Sequence, residues 1–333
     1  MAIKVGINGF GRIGRCTLSH IAATARDDIE VVKINATGPL ETAAHLIKYD
    51  SVHGRFPGEI SVDDGYLNLG QNDIEVMSTY NLEELDWTGC DVVLECTGQF
   101  NDGNKAGVHL EQGAKRVLLS APGKNIDRTV VYGVNHNTLQ ASDKMISNGS
   151  CTTNCLAPLA KVMHEAIGIE SGLMTTIHSY TGDQPTLDRR HNDLYRARAA
   201  AMALIPTSTG AAKALGEVYP DMKGKLDGTA MRVPTPNVSA VDLTFTAARD
   251  VTVEEVNAAA KAAAEGSMKG VFAYDPEQKV SIDFNHTEES CIFAPDQTIV
   301  VADRTVRVLG WYDNEWAFSV RMADVAVAMG QLG

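Results

Sequence analysis

The chain has 333 residues, 44% hydrophobic and 21% charged, a globular mixture of a length that one hydrophobic core seldom supports, so two domains are expected. Its 29 Lys and Arg stand against 42 Asp and Glu, a formal net charge of -13. Such acidity excludes general binding of nucleic acid or anionic membrane surfaces, and any anionic ligand needs a site built locally.

The six cysteines (Cys16, Cys90, Cys96, Cys151, Cys155 and Cys291) do not read as a disulfide framework. The opening Met-Ala-Ile-Lys-Val-Gly lacks the basic and then apolar progression of a signal peptide. No apolar run reaches the roughly 20 residues of a membrane span. A soluble, cytoplasmic protein is expected, in which a conspicuous cysteine is more readily reactive than cross-linked.

Residues 3–8 form a short β-branched apolar run, followed at once by Gly9-Phe10-Gly11-Arg12-Ile13-Gly14 and a helical pattern over 15–24. Residues 29–34 read as the next strand, and the alternation continues through 91–95, 104–112, 116–120 and 130–134. Strands separated by helical stretches predict a Rossmann-type, doubly wound parallel sheet. In that setting the glycines have separate tasks. The first permits a tight turn, the second lets backbone approach a pyrophosphate, and the third packs helix against strand, leaving the pyrophosphate at the helix N-terminus. The acid that should follow the second strand and hold the ribose hydroxyls is missing, because the chain reads Asn35-Ala36-Thr37-Gly38. Without that charge a 2′-phosphate is no longer repelled, so NADP as well as NAD is a candidate cofactor.

Further on, Ser150-Cys151-Thr152-Thr153-Asn154-Cys155 leads into a helical pattern over 156–166. Cys151 then sits in the first helical turn, where the dipole and a histidine partner would favour its thiolate. The other five cysteines read as small buried hydrophobes. Of nine histidines, His178 closes the β-branched run Thr175-Thr176-Ile177, a strand-end position from which a ring can face a cleft; a structural role is the alternative. His20, His45 and His164 fall in helical patterns and read as ordinary. No His, Cys or carboxylate group shows metal-ligand spacing, so no metal site is expected.

At these residues the chain resembles the phosphorylating glyceraldehyde-3-phosphate dehydrogenase family. The resemblance rests on 8–15 (Asn-Gly-Phe-Gly-Arg-Ile-Gly-Arg), 49–54, Ser120-Ala121-Pro122, Ser150-Cys151-Thr152-Thr153-Asn154, 208–213, 231–236 and Trp311-Tyr312-Asp313-Asn314-Glu315, in the family's order over nearly the whole chain. It implies oxidation of glyceraldehyde 3-phosphate in the presence of inorganic phosphate to 1,3-bisphosphoglycerate. In that scheme Cys151 is the nucleophile and His178 the base. It further implies that Thr181, Asp183 and Arg232 bind the substrate phosphate, and that Ser150, Thr152, Thr209, Gly210 and Arg196 bind the attacking phosphate. For the cofactor it implies Asn8, Gly9, Phe10, Gly11, Arg12, Ile13, Gly14, Asn35, Ala36, Thr37 and Ser120, with Asn314 holding the nicotinamide carboxamide.

The chain departs from the family in ways that bear on the cofactor. Ala36 replaces the family's aspartate, Tyr80 an adenine-side arginine, and the loop that usually reads Leu-Asp-Leu-Pro-His reads Leu187-Asp188-Arg189-Arg190-His191. In the family that loop reaches a neighbouring subunit's cofactor, so Arg189 and Arg190 could meet a 2′-phosphate; solvated loop charges are the alternative. NADP use at least equal to NAD is expected.

The resemblance places a dinucleotide-binding domain at 1–150, an α+β catalytic domain with a mixed, largely antiparallel sheet at 151–314, and a closing helix at 315–333 packing back on the first. A homotetramer is implied. The partners expected are a phosphosugar and inorganic phosphate, with no membrane and no dedicated nucleic-acid site. The rival readings are a phosphate-independent erythrose-4-phosphate dehydrogenase and a secondary RNA-binding or adhesion role favoured only by Arg189, Arg190, Arg196 and Arg198.

Overall fold

The computed structural model describes residues 2–332. They fall into two compact units, one holding the chain up to Ser150 and again from Ser319, the other Cys151–Phe318.

The first unit is built on a nine-stranded sheet in the order Arg128–Thr129, Met145–Ser147, Arg116–Leu119, Val92–Glu95, Ile3–Asn8, Ile29–Asn35, Asp73–Met77, Tyr66–Asn68, Ser61–Asp63. All pairings are parallel up to Asp73–Met77, and the last two strands join it antiparallel. Val92–Glu95 is buried throughout and Ile3–Asn8 everywhere but Lys4, the continuous burial of parallel strands covered on both faces. The first strand lies between the second and the one at 92–95, so the strand order reverses at Asn8. That reversal opens a crevice at the carboxyl ends of the strands, just where the glycine loop begins.

Two local expectations are corrected. Residues 130–134 are not a strand: the pairing stops at Thr129, and Asn135 Oδ1 accepts from Val131 N at 2.8 Å while Gly133 takes φ +82°. A polar turn residue and a glycine therefore overrule a β-branched run. The helical stretch over 104–112 is broken into Gly103–Ala106 and Val108–Glu111.

The second unit carries an eight-stranded mixed sheet in the order Ile205–Ser208, Leu226–Val233, Ile169–Ser179, Ser239–Ala247, Thr305–Tyr312, Cys291–Phe293, Phe272–Tyr274, with Ile299–Val301 also on Thr305–Tyr312. Five of its pairings are antiparallel and two parallel. The run over 298–310 is a hairpin closed by the three residues Ala302, Asp303 and Arg304, the first two of which have positive φ. The helix Cys151–Ile167 buries Cys155, Leu156, Leu159, Ala160 and Met163 completely. Each large apolar side chain so buried stabilises by about 1.5–3 kcal/mol, and this anchors the helix whose first residue is Cys151. Thr252 and Glu255 form a reciprocal capping box at the start of Val253–Glu265. Among the described residues no helix is long and apolar enough to cross a membrane, and all six cysteines are free thiols.

Candidate active site

In the first unit the glycine loop assigns each glycine its reason. Gly9 has φ +95°, and a Cβ there would stand 2.7 Å from Thr97. At Gly14 a Cβ would lie 2.2 Å from the Gly9 carbonyl oxygen, so the helix Arg12–Ala23 can approach its strand only if residue 14 has no side chain. Gly11 differs from both. Its φ of -75° suits any residue and a Cβ would meet nothing within 4 Å. Neither backbone nor packing requires glycine at 11; the space around it is open at the helix N-terminus, where a pyrophosphate would fit. These residues therefore fit a dinucleotide.

Beside this loop Asn8, Gly9, Asn35, Thr37, Thr79 and Tyr80 contribute to a cavity of about 190 Å³. Ala36 is buried and Thr37 exposed, so no carboxylate stands at the second-strand end. Arg12 is bound to Asp50 at 2.5 Å and 3.1 Å. Burial pushes the Asp50 carboxyl up, but Arg12 and the amides of His53 and Val52 outweigh it and hold it at about 2. Ser120 follows the strand Arg116–Leu119, while Phe10 and Ile13 are half-buried.

In the second unit Cys151 is the first residue of its helix, and its Sγ lies 3.4 Å from His178 Nε2. Parallel pairing sets His178 opposite Arg232, so the two side chains share the end of adjacent strands. His178 Nδ1 is 2.6 Å from the Ser179 carbonyl, which also accepts from Arg232 Nη1 at 2.8 Å. Arg232 Nη1 stands 2.7 Å from the same Nδ1. With Nδ1–H donating to Ser179 O, Nε2 keeps its lone pair for the thiol. Burial, and then the Arg232 charge, lower the His178 pKa to about 3, so the ring is a neutral proton acceptor at ordinary pH.

The expected depression of the thiol is not what this geometry produces. Burial pushes Cys151 up, against the pull of Arg232 and the first-turn amide of Thr152. The proton rests on sulfur until His178 takes it.

The anion-binding candidates divide by what already engages them. Asp183 accepts from Arg196 Nη1 at 3.0 Å and lies 3.3 Å from His191 Nε2. Arg196 also stands 3.6 Å from Asp193, and its charge is felt at both Arg232 and His178. Two guanidinium groups near one imidazole repel each other, and an anion between them would relieve that repulsion. Thr181 is half-buried beside Asp183, and Ser150 immediately precedes the helix. Thr209 Oγ1 accepts from Ala211 N at 3.2 Å, and Gly210 precedes the helix Ala211–Val218. Thr152 is the exception, since its side chain turns inward to Tyr312 Oη at 2.9 Å.

Arg189 and Arg190 are exposed. Of the basic set proposed for RNA or adhesion, Arg196 is bound to Asp183 and Arg198 to Asp188, so half of its charge is already matched. A groove of about 1110 Å³ runs past Leu173, Lys213, Lys223 and Phe245, and neither Cys151 nor His178 lines it.

Three sets of contacts had no signal in the local sequence. Tyr312 Oη links Thr152 and Thr176 at 2.9 Å and 2.8 Å, and the ring stands edge-on to His178. Asn314 Oδ1 accepts from Ser239 Oγ at 2.8 Å. In the first unit a fully buried Glu95 accepts from Asn8 Nδ2, Thr97 N and Thr97 Oγ1 and faces His109, which accepts from Trp87 Nε1 at 3.0 Å.

Comparison with known proteins agrees over the whole chain. Residues 3–103 match the model for the glyceraldehyde 3-phosphate dehydrogenase NAD binding domain, and residues 150–314 that for the C-terminal domain of the same family. The chain is 62% identical over 332 residues to glyceraldehyde-3-phosphate dehydrogenase of Cereibacter sphaeroides, covering 100% of each chain. It is 59% identical to that of Xanthobacter flavus and 53% identical to that of Geobacillus stearothermophilus, again over 100% of each chain.

Proposed function

The chain belongs to the glyceraldehyde 3-phosphate dehydrogenase family, and from that premise we propose that it oxidises D-glyceraldehyde 3-phosphate with inorganic phosphate to 1,3-bisphosphoglycerate. It is an oxidoreductase with an NAD-binding domain. The observation that carries the reaction is Cys151 Sγ at 3.4 Å from His178 Nε2 at the head of a buried helix.

The bound cofactor supplies a hydride acceptor. Cys151 adds to the aldehyde carbon, and His178 relays the thiol proton to the aldehyde oxygen, giving a hemithioacetal. The Cys151 amide at the helix N-terminus donates to that oxygen. His178 Nε2 then takes the hydroxyl proton as the carbon gives up its hydride, leaving a thioester on Cys151. Thr181, Asp183 and Arg232 hold the substrate phosphate. Ser150, Thr152, Thr209, Gly210 and Arg196 hold the phosphate that attacks the thioester, with Thr152 contributing from the helix start rather than through its inward-turned hydroxyl. Asn314 holds the nicotinamide carboxamide. The boundary between nucleotide-binding and catalytic domains falls at Ser150.

For the cofactor, NADP is used at least as well as NAD. Support comes from the absent carboxylate at Ala36 and the unengaged exposure of Arg189 and Arg190. The protein is a homotetramer in the cytoplasm: Leu187, Leu194, Met202 and Leu204 expose apolar surface that assembly would cover, and six free thiols suit a reducing compartment. NADP use would favour the gluconeogenic or other biosynthetic direction. Steady-state rates with each cofactor, with and without phosphate, for glyceraldehyde 3-phosphate and erythrose 4-phosphate test the whole reading. A large specificity for NAD refutes the cofactor assignment, and rates indifferent to phosphate refute the reaction.

A further inference from the structure

Ser239 lies outside every motif that marks the site, yet its hydroxyl stands at a junction of the second unit. Ser239 Oγ accepts from Ser179 N at 3.1 Å and donates to Asn314 Oδ1 at 2.8 Å. All three residues are buried. Ser179 is the residue whose carbonyl receives His178 Nδ1–H. One hydroxyl thus joins the strand that bears the base to the amide that faces the nicotinamide.

The backbone around Ser239 is held for this purpose. Val238 has φ +66°, a left-handed conformation that a β-branched residue adopts only under constraint. Its carbonyl accepts from Ser179 Oγ at 2.7 Å, and its side chain is clamped against Phe284 and Ile292. Strain of this kind persists where surrounding structure over-determines it. On the far side Asp313 accepts from Asn237 Nδ2, His286 N, Glu315 N and Trp316 N at 2.7–2.9 Å, which fixes the backbone that carries Asn314.

An asparagine amide can turn over and exchange its oxygen for its nitrogen at little cost. Here Ser239 Oγ accepts from Ser179 N–H and directs its own proton at Asn314 Oδ1, which holds the amide oxygen on the Ser239 side. Asn314 Nδ2 is then presented outward as a donor, with no partner among the described residues. We propose that Ser239 is a positioning residue for hydride transfer, setting the amide orientation of Asn314 relative to His178. This rests on the reading of Asn314 as the nicotinamide-binding residue.

The test is a double-mutant cycle of Ser239→Ala and Asn314→Ala on the full-length enzyme. It is read by cofactor dissociation constant, by the single-turnover hydride-transfer rate, and by iodoacetamide alkylation of Cys151 without cofactor. Ser239→Ala is expected to weaken cofactor binding or slow hydride transfer about 5–20-fold, the effect of losing a buried hydrogen bond. It should leave cofactor-free alkylation within about twofold, because the bond from His178 to Ser179 O does not pass through Ser239. In the Asn314→Ala background the same substitution should change neither cofactor binding nor hydride transfer further, and Ser239→Thr should restore both. If Ser239→Ala folds poorly, Ser239→Cys runs the same cycle. Additive effects, or no effect of Ser239→Ala where Asn314→Ala has one, overturn the inference alone. Unchanged cofactor binding and hydride transfer in Asn314→Ala overturn the reading of Asn314 and the inference with it.

Discussion

Substituting alanine separately at Gly11 and Gly14 distinguishes a glycine needed by the ligand from one needed by the fold. At Gly14 the new Cβ would start 2.2 Å from Gly9 O and 3.3 Å from Ile7 Cγ2, both belonging to a buried strand and its turn. Relief requires a backbone shift of about 1 Å in a packed interior, an overpacking cost of about 3 kcal/mol or more. For a unit of this size that lowers the melting midpoint by about 6–12 °C. At Gly11 the same methyl meets nothing within 4 Å, so stability should stay within about 1 kcal/mol of the parent. The methyl would nevertheless occupy the approach to the helix N-terminus, and cofactor affinity should fall about tenfold, or 1.4 kcal/mol. Calorimetric melting without cofactor and titration with NAD and NADP read the two effects separately. A Gly11→Ala enzyme that binds both cofactors normally, or a Gly14→Ala enzyme as stable as the parent, refutes the reasoning.

Placing an acid at the second-strand end with Ala36→Asp should lower kcat/KM for NADP by about tenfold or more, through repulsion of the 2′-phosphate, while sparing NAD; equal use of NADP by the variant would contradict the cofactor assignment. The Asp50 carboxyl, held at about 2 in the folded state against an ordinary 3.8, contributes stability that is complete above its unfolded pKa and is lost as pH falls through 4 toward 2. Asp50→Asn should therefore destabilise by about 1–2 kcal/mol at pH 7 and flatten acid denaturation over that window, as denaturant titrations at pH 7 and pH 3 would reveal. Glu95→Ala should destabilise the first unit by about 3–5 kcal/mol, because Asn8 Nδ2, Thr97 N and Thr97 Oγ1 all lose a buried acceptor; chemical denaturation checks it.

What could be read in the sequence was what short-range physics encodes. The glycine loop sits where a strand hands over to a helix, and the Thr252 capping box spans three residues, so both are legible from neighbouring letters. The likeness of seven motifs to one family did the rest for Cys151 and His178. The proximity of His178 and Arg232 is different: it arises from the parallel register of strands 54 positions apart, which no local pattern announces. Glu95 and Asn8 meet across 87 positions, and Ser239 and Asn314 across 75. The misread strand at 130–134 shows the opposite failure, a β-branched run overruled by a turn that Asn135 and Gly133 impose. The sequence predicts a Cys151 thiol depressed by helix and histidine, but burial, visible only once the chain is folded, raises it against the pull of Arg232 and Thr152.

The central claim is a covalent thioester on Cys151 that waits for phosphate. The direct measurement is a single-turnover experiment with enzyme, cofactor and glyceraldehyde 3-phosphate but no phosphate, followed by intact-protein mass spectrometry. The account predicts a burst of reduced cofactor stoichiometric with active sites, a phosphoglyceroyl adduct confined to Cys151, its discharge on adding phosphate, and neither burst nor adduct in Cys151→Ser. Continuous turnover at the same rate without phosphate, or an adduct at another residue, would contradict it.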